Sequence, residues 1–229
     1  MASPTRDPPI GPEHPERRLA VAHAHGLARS GLTTLFALDE RLGGIVARTR
    51  EPAIGLMRLL WWRDALAALD NAPPPAEPLL AAAAALRPDR IAGSELAGMA
   101  DGWEVLLDDG ELGAETAALH ARERGARLFS LAGRVLGSES DRLRDAGEGW
   151  ALADLGRHFA PPGRGSALLD HAREPLERAM AARWPSALRP LGMLTALALQ
   201  DVRHGAEALR PPASPMRLLR LLAHRWTGH

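Results

Sequence analysis

The chain contains no cysteine and no lysine among its 229 residues. Without cysteine it has no disulfide, no thiolate metal ligand and no cysteine nucleophile, so these classes of site are excluded outright. All 28 basic residues are therefore arginine, and they balance 28 acidic residues to a formal net charge of zero. A general nucleic-acid binder carries an excess of positive charge, so this balance argues against nucleic acid as a partner.

Long apolar runs and strand-forming residues are also scarce. No apolar stretch approaches the roughly 20 residues that span a bilayer, and the first residues lack the apolar core of a secretory signal. We therefore expect a cytoplasmic bacterial protein that touches the inner membrane only peripherally, if at all. Tyrosine is absent, while alanine, leucine and arginine dominate. Because these three are strong helix formers, the composition predicts an all-α fold.

Proline-rich segments divide the chain. Residues 1–14 are polar and proline-rich, and they are expected to form a flexible arm. The rest, residues 15–229, is expected to form a single all-α domain. The proline-rich breaks at 72–78 and 161–165 are short, so they are interpreted as loops inside one bundle rather than as domain linkers.

A helix is predicted to begin at Pro52 in the stretch "EPAIGLMRLLWWRDAL". Trp61 and Trp62 are adjacent, so their side chains point about 100° apart on a helix. We expect one to pack inside and the other to cap a cavity mouth, stack on an arginine or contact a partner. Spacings of three and four residues predict one buried face, formed by Ile54, Met57, Leu60, Trp61 and Ala65.

The last predicted helix follows Ser214 and Pro215, in "SPMRLLRLLAHRW". A serine N-cap and a proline in the first turn are typical helix-start residues. We expect this helix to dock on the bundle as an ordinary last helix. The alternative is that its leucines and arginines lie on an anionic membrane surface.

Two glycines, Gly43 and Gly44, stand inside the helical stretch "FALDERLGGIVAR". A glycine in a helix interior costs about 1 kcal/mol relative to alanine. Helix propensity therefore does not explain why an alanine-rich chain carries two of them at this point.

This stretch and three others resemble squalene/phytoene synthase-like proteins, particularly the short bacterial members. "EPAIGLMRLLWWRDAL" resembles the block after the family's first motif, and "FALDERLGGIVAR" is in register with the family pattern Y-A-F-x-R-x-x-D-D-I-V-D-E. "ARERGARLFSLAGRVLG" and "GEGWALADLGRHFAPPGRG" resemble two later family segments. The order and spacing are those of the family over about residues 19–205. The resemblance implies an isoprenoid-synthase-like helical bundle around a central cavity.

The family's chemistry needs two aspartate-rich motifs on facing helices, which hold Mg²⁺ and a prenyl diphosphate. By the resemblance, the acidic positions of the first motif fall on Gly43, Gly44, Ala47 and Arg48, and those of the second fall on His158 and Pro162. No carboxylate pair one turn apart remains at either motif. The resemblance thus implies no catalytic residue and no metal ligand at these positions.

Three residues near the motifs are candidates for binding a ligand: Arg41, Asp154 and Arg157. Arg157 matches a family arginine, and Asp154 falls where the family has an asparagine. Asp39 lies one turn before Gly43. We expect it to be a surface charge facing Arg48 or Arg50, and the alternative is that it faces the cavity.

Because the motif acids are missing, the resemblance predicts a family-like protein that lacks prenyltransferase activity. Such a protein would bind an isoprenoid or lipid in the central cavity, or act as an assembly or interaction factor for a protein partner. The family includes a mitochondrial factor for respiratory complex I assembly. No cofactor is expected. The alternative is an active head-to-head transferase for farnesyl or geranylgeranyl diphosphate with a rearranged Mg²⁺ site. A centre closed by side chains would favour an interaction protein over a lipid binder.

Overall fold

The computed structural model describes residues 10–86, 91–107, 112–158, 165–205 and 208–229. These residues form helices and connecting turns with no β-strand among them, which confirms the all-α prediction. In chain order the α-helices are α1 (Pro15–Ala22), α2 (Leu27–Arg48), α3 (Pro52–Ala68), α4 (Pro78–Ala84), α5 (Gly93–Ala97), α6 (Asp101–Glu104), α7 (Ala114–His120), α8 (Arg127–Val135), α9 (Arg142–His158), α10 (Gly165–Met180), α11 (Arg189–His204) and α12 (Pro215–Thr227). A π-helical stretch, Ala121–Ala126, joins α7 to α8, and a short 3-10 turn, Ser186–Leu188, precedes α11.

Helix α9 is the centre of the bundle, packed against α8, α10, α11 and the π-helical stretch. Its crossing with that stretch is a contact between two glycines. A Cβ added to Gly125 would lie 2.1 Å from the carbonyl oxygen of Gly147, and one added to Gly147 would lie 2.2 Å from the oxygen of Gly125. Only glycine permits two backbones to approach this closely, so these two residues bring the π-helical stretch against α9.

Helix α3 turns the opposite face to the core from the one predicted. Gly55, Leu59, Trp62 and Leu66 are buried. The predicted face is open to solvent, with Met57 71% exposed, and Ile54, Leu60 and Trp61 between 41% and 50% exposed. The prediction was wrong because α3 is apolar on nearly all sides. A close approach selects the buried face, since a Cβ on Gly55 would lie 2.7 Å from Leu107. Trp62 is the inward tryptophan and Trp61 the outward one.

Helix α12 docks against α11, as expected of an ordinary last helix. Arg217, Leu221 and His224 are buried, so Arg217 does not belong to a solvent-facing basic surface. The outer side of α12 exposes Met216, Leu219 and Trp226. Among the described helices, none has both the length and the apolar character needed to cross a membrane.

The predicted flexible arm lies partly outside the described residues, since 1–9 are not described. Its last residues, 10–14, are held to the bundle. The backbone N–H groups of Glu13 and His14 donate to the Glu40 carboxylate, and Pro12 is buried.

Candidate functional site

A ring of four charged side chains occupies the middle of the bundle: Arg17, Asp39, Arg124 and Asp154, referred to here as the central ion network. Arg124 donates from Nε to Asp39 Oδ1 at 2.8 Å and from Nη2 to Asp39 Oδ2 at 2.9 Å. Its Nη2 also lies 2.7 Å from Asp154 Oδ2. Arg17 closes the ring, 3.3 Å from Asp39 Oδ2 and 3.0 Å from Asp154 Oδ1. α1, α2, α9 and the π-helical stretch each supply one member.

The prediction that Asp39 is a surface charge was wrong. Its side chain is fully buried and its partners are Arg124 and Arg17 rather than Arg48 or Arg50. The alternative was that it faces the cavity. Asp39 does point inward, but Trp103, Arg17 and Arg124 surround it rather than an open space. Burying a carboxylate without a partner is very costly, so Asp39 can lie there only because two guanidinium groups surround it.

The electrostatics of the network favour the charged forms. Burial alone would raise the pKa of Asp154, but Arg124 and Arg17 outweigh it and hold that pKa well below its usual range. Burial opposes the charge on Arg124 as well, and Asp39 with Asp154 raise the pKa of the guanidinium nonetheless. Asp154 and Arg124 therefore stabilise each other in their charged forms.

Aromatic rings enclose the Arg124 guanidinium. Its central carbon lies 4.0 Å from the centroid of the Trp103 ring and 4.7 Å from that of Trp150, which are cation–π distances. Trp103 also donates from Nε1 to Asp39 Oδ1 at 3.1 Å. His120 Nδ1 donates to the Gly102 carbonyl, and its Nε2 faces Arg124 Nη1 at 3.4 Å. Burial first, and the Arg124 charge second, lower the pKa of His120 to about 4, so the ring is neutral at pH 7.

The glycine pair on α2 now separates into two cases. A Cβ on Gly43 would lie 2.6 Å from the Trp103 ring, so the indole fills the space beside this residue. The atoms nearest to a Cβ on Gly44 would be those of the Arg48 guanidinium, the flexible end of an exposed side chain. Ala47 is exposed on the last turn of α2. Of these first-motif positions, Gly43 alone is both buried and tightly packed.

A second ion network, formed by Glu16, Arg157, Asp201 and Arg217, adjoins the first. Arg217 donates from Nε and Nη2 to Glu16 at 2.5 Å and 3.0 Å, and from Nη1 to Asp201. Arg157 reaches the other oxygen of Asp201 at 3.1 Å. Burial tends to raise the pKa of Glu16, but its hydrogen bonds from Arg217 and from a backbone N–H lower it. This network ties α1 and α12 to α9 and α11.

The candidate ligand-binding residues do not form one site. Asp154 and Arg157 lie near the end of α9, each engaged in one of the two networks. His158 follows with a side chain that is 35% exposed, and its Nδ1 lies 3.2 Å from Asp154 Oδ1. Arg41 lies elsewhere, on the exposed side of α2, 3.7 Å from Glu77 and over the Trp62 ring. Pro162 lies outside the described residues.

The space beside the networks is small. The pocket bordered by His14, Arg17, Trp150, Asp154, Arg157 and Leu194 has a volume of about 40 Å³. Small-molecule sites usually measure about 300–1,000 Å³, whereas one or a few waters fill a volume like this one. Larger grooves of about 820 Å³ and 790 Å³ lie on the surface, along α8–α9 and along α1–α2. The pocket that the described residues form beside the networks is thus far smaller than the central ligand cavity that the resemblance implies.

Comparisons with protein-family models, with curated proteins and with solved structures find no match to this chain. The squalene/phytoene synthase-like resemblance therefore stays a prediction from the sequence, and the site is argued from its own geometry.

That geometry does not fit a Mg²⁺–diphosphate cluster. Mg²⁺ requires several oxygen ligands in near-octahedral arrangement. The oxygens of Asp39 and Asp154 already accept hydrogen bonds from guanidinium groups, and the motif positions 43, 44, 47 and 158 carry no carboxylate. Within the described residues, no three histidine or acidic side chains are grouped to hold a metal ion.

Sequence reasoning named Arg157 but missed Arg17, Arg124 and Arg217, the other basic members of the two networks. Arg124 and Arg17 meet acids that are 85 and 137 residues away in the chain, and Arg217 meets Glu16 across 201 residues. No local spacing carries such a signal. The available hints were two acids, Asp39 one turn before Gly43 and Asp154 at its motif position.

Proposed function

We propose that this protein is a non-catalytic member of the squalene/phytoene synthase-like family that works as an assembly or interaction factor for a protein partner. One observation carries the proposal: Arg124, a fixed cation held by Asp39 and Asp154, occupies the bundle centre where the resemblance puts metal ions and diphosphate.

The energetics favour a structural role, rather than a ligand-binding role, for Arg124, Asp39 and Asp154. Removing one partner from a buried ion pair costs about 3–5 kcal/mol, because an uncompensated charge is left behind. A diphosphate would have to compete with both carboxylates for Arg124, and a Mg²⁺ would have to compete with Arg124 for both carboxylates.

The volume of the interior favours a protein partner over a lipid. A prenyl chain needs an apolar pocket of several hundred Å³, and the pocket at the networks offers about 40 Å³ of mixed polarity. The surface, by contrast, presents apolar side chains on α3 and α12 that other proteins can cover.

An activity assay tests the proposal that the protein is non-catalytic. The purified protein is incubated with Mg²⁺ and either farnesyl or geranylgeranyl diphosphate, and released diphosphate is measured. We expect release equal to that of a no-protein control. Release that is lost in both Asp154→Asn and Arg157→Ala would instead establish the alternative, a transferase with a rearranged site.

Affinity capture from the producing host tests the interaction half. Cross-linked partners of the wild-type protein are compared with those of Trp61→Glu and Trp226→Glu, which place a charge on the exposed faces of α3 and α12. A partner retained by the wild type and lost with one variant is expected. Equal partner lists for all three proteins would contradict an interaction through either face.

A further inference from the structure

The exposed face of α3 is a continuous apolar surface, referred to here as the α3 stripe: Ala53, Ile54, Met57, Leu60 and Trp61. These residues are separated by one, three and four positions, so they lie along one side of the helix. The four large side chains are between 41% and 71% exposed. Monomeric proteins rarely expose apolar patches larger than a few hundred Å², and larger ones mark interfaces.

Charge is distributed unevenly along the stripe. Asp64 lies on the same side of α3, two turns beyond Met57, and is exposed. Arg50 precedes the helix at the other end and is exposed as well. Neither side chain forms an ion pair or a hydrogen bond within the described part of the chain. The N-terminal end of the stripe therefore carries the unpaired Arg50 next to an exposed Glu51, and the C-terminal end carries the unpaired Asp64.

We propose that a second copy of this chain covers the α3 stripe, with the two α3 helices antiparallel about a two-fold axis at Met57. This arrangement brings each Asp64 to the Arg50 of the second copy, so two symmetric ion pairs form across the interface. It also sets small against large, with Ala53 facing Leu60, and places Ile54 against Trp61. A surface that complements itself in this way is the requirement for an isologous dimer.

Other occupants fit less well. A bilayer surface would leave Asp64 facing anionic lipid or buried in the headgroup layer, which is unfavourable. The inference does not rest on the proposed function, because an active enzyme or an interaction factor could equally form this dimer. Its measurement is a molecular mass, so its failure is distinguishable from the appearance of prenyl transfer.

Matched substitutions test the surface. The mass in solution is measured by sedimentation equilibrium for the wild type, for Met57→Glu and Trp61→Glu, and for the controls Met216→Glu and Trp226→Glu on α12, where the same residue types are similarly exposed. We expect a dimer for the wild type and both controls, and at least a tenfold weaker association for the two α3 variants. Equal weakening by the α12 variants would overturn the assignment to α3.

A charge exchange tests the register. Asp64→Arg and Arg50→Asp each place like charges together and should weaken association at least tenfold. The double variant restores opposite charges and should recover most of the wild-type association. Failure of the double variant to recover, while it remains folded by circular dichroism, would overturn the proposed pairing.

Spin labels test the direction of the two helices, and the cysteine-free chain allows one label per protomer without background. An antiparallel pair centred on Met57 puts labels at Arg58→Cys near each other and labels at Ala68→Cys about 30 Å apart along the axis, from a rise of about 1.5 Å per residue. Similar separations at both positions would indicate a parallel pair and overturn the proposal. A wild-type monomer at 100 μM that binds anionic phosphatidylserine vesicles through Met57 would also overturn it and assign the stripe to a membrane.

Discussion

At the scale of single residues, Gly43 and Gly44 have different reasons to be glycine. Gly43 gives space to the Trp103 ring, which in turn donates to Asp39 and lies against Arg124. The nearest neighbour of Gly44 is the flexible Arg48 side chain. The resemblance implies that both positions have lost a family acid. Of the two, Gly43 alone must also be small because the Trp103 ring packs against it.

Replacement by alanine should separate the two glycines. We expect Gly43→Ala to lower the free energy of unfolding by about 1–3 kcal/mol, because the ring must shift in a filled interior. Gly44→Ala should leave it unchanged or raise it by up to about 1 kcal/mol through helix propensity. Urea unfolding measures both, and equal effects would contradict the packing role of Gly43.

Arg124 should be the most sensitive charged residue of the central ion network. Arg124→Met leaves Asp39 and Asp154 with Arg17 as their remaining cation, and we expect a loss of about 3–5 kcal/mol. Arg122→Met is the matched control, two residues away with a side chain that is 60% exposed, and should change stability by less than about 0.5 kcal/mol. Similar small losses for both would mean that the network is not a stabilising centre.

At the scale of elements, His120 at the end of α7 makes the free energy of unfolding depend on pH. His120 has a pKa of about 4 in the folded protein and 6.5 as its ordinary value, so the unfolded chain takes up the proton first as pH falls. Its contribution to stability is complete above pH 6.5 and is lost progressively toward pH 4. The slope it adds is up to about 1.4 kcal/mol per pH unit.

Urea unfolding at pH 7, 6 and 5 measures this response. His120→Gln should be less stable at pH 7 but show a shallower decline between pH 6.5 and 4 than the wild type. His171→Gln, on the exposed side of α10, should keep the wild-type slope. An unchanged slope in His120→Gln would show that this residue does not carry the proton uptake.

The helices also show which features the composition and the residue spacing could predict. Composition predicted the all-α fold because helix formation depends on local propensity. Residue spacing predicted the wrong face of α3, because a helix that is apolar nearly all round presents two equivalent stripes. Gly55 decided between them through its contact with Leu107, which lies 52 positions further along the chain.

At the scale of the whole molecule, the interior is specified by pairs far apart in sequence. Asp154 was identified as a candidate from its motif position, but its partners Arg17 and Arg124 come from other helices. Patterns three or four residues apart cannot predict such pairs, and neither could they predict the approach of Gly125 to Gly147. The resemblance therefore implied the loss of the motif acids without showing which side chains would fill the interior.

The central claim of the proposed function is that the ion networks occupy the space where the resemblance to squalene/phytoene synthase-like proteins puts metal and diphosphate. Its most direct test is a titration of the thermal unfolding midpoint with Mg²⁺ and the thiolo analogue of farnesyl diphosphate, which binds without being consumed. A ligand that binds only the folded state raises the midpoint as its concentration passes its Kd. We predict no saturable rise up to 1 mM. A saturable rise that disappears in Asp154→Asn would contradict the account, because it would place the diphosphate in the centre that the structure shows filled.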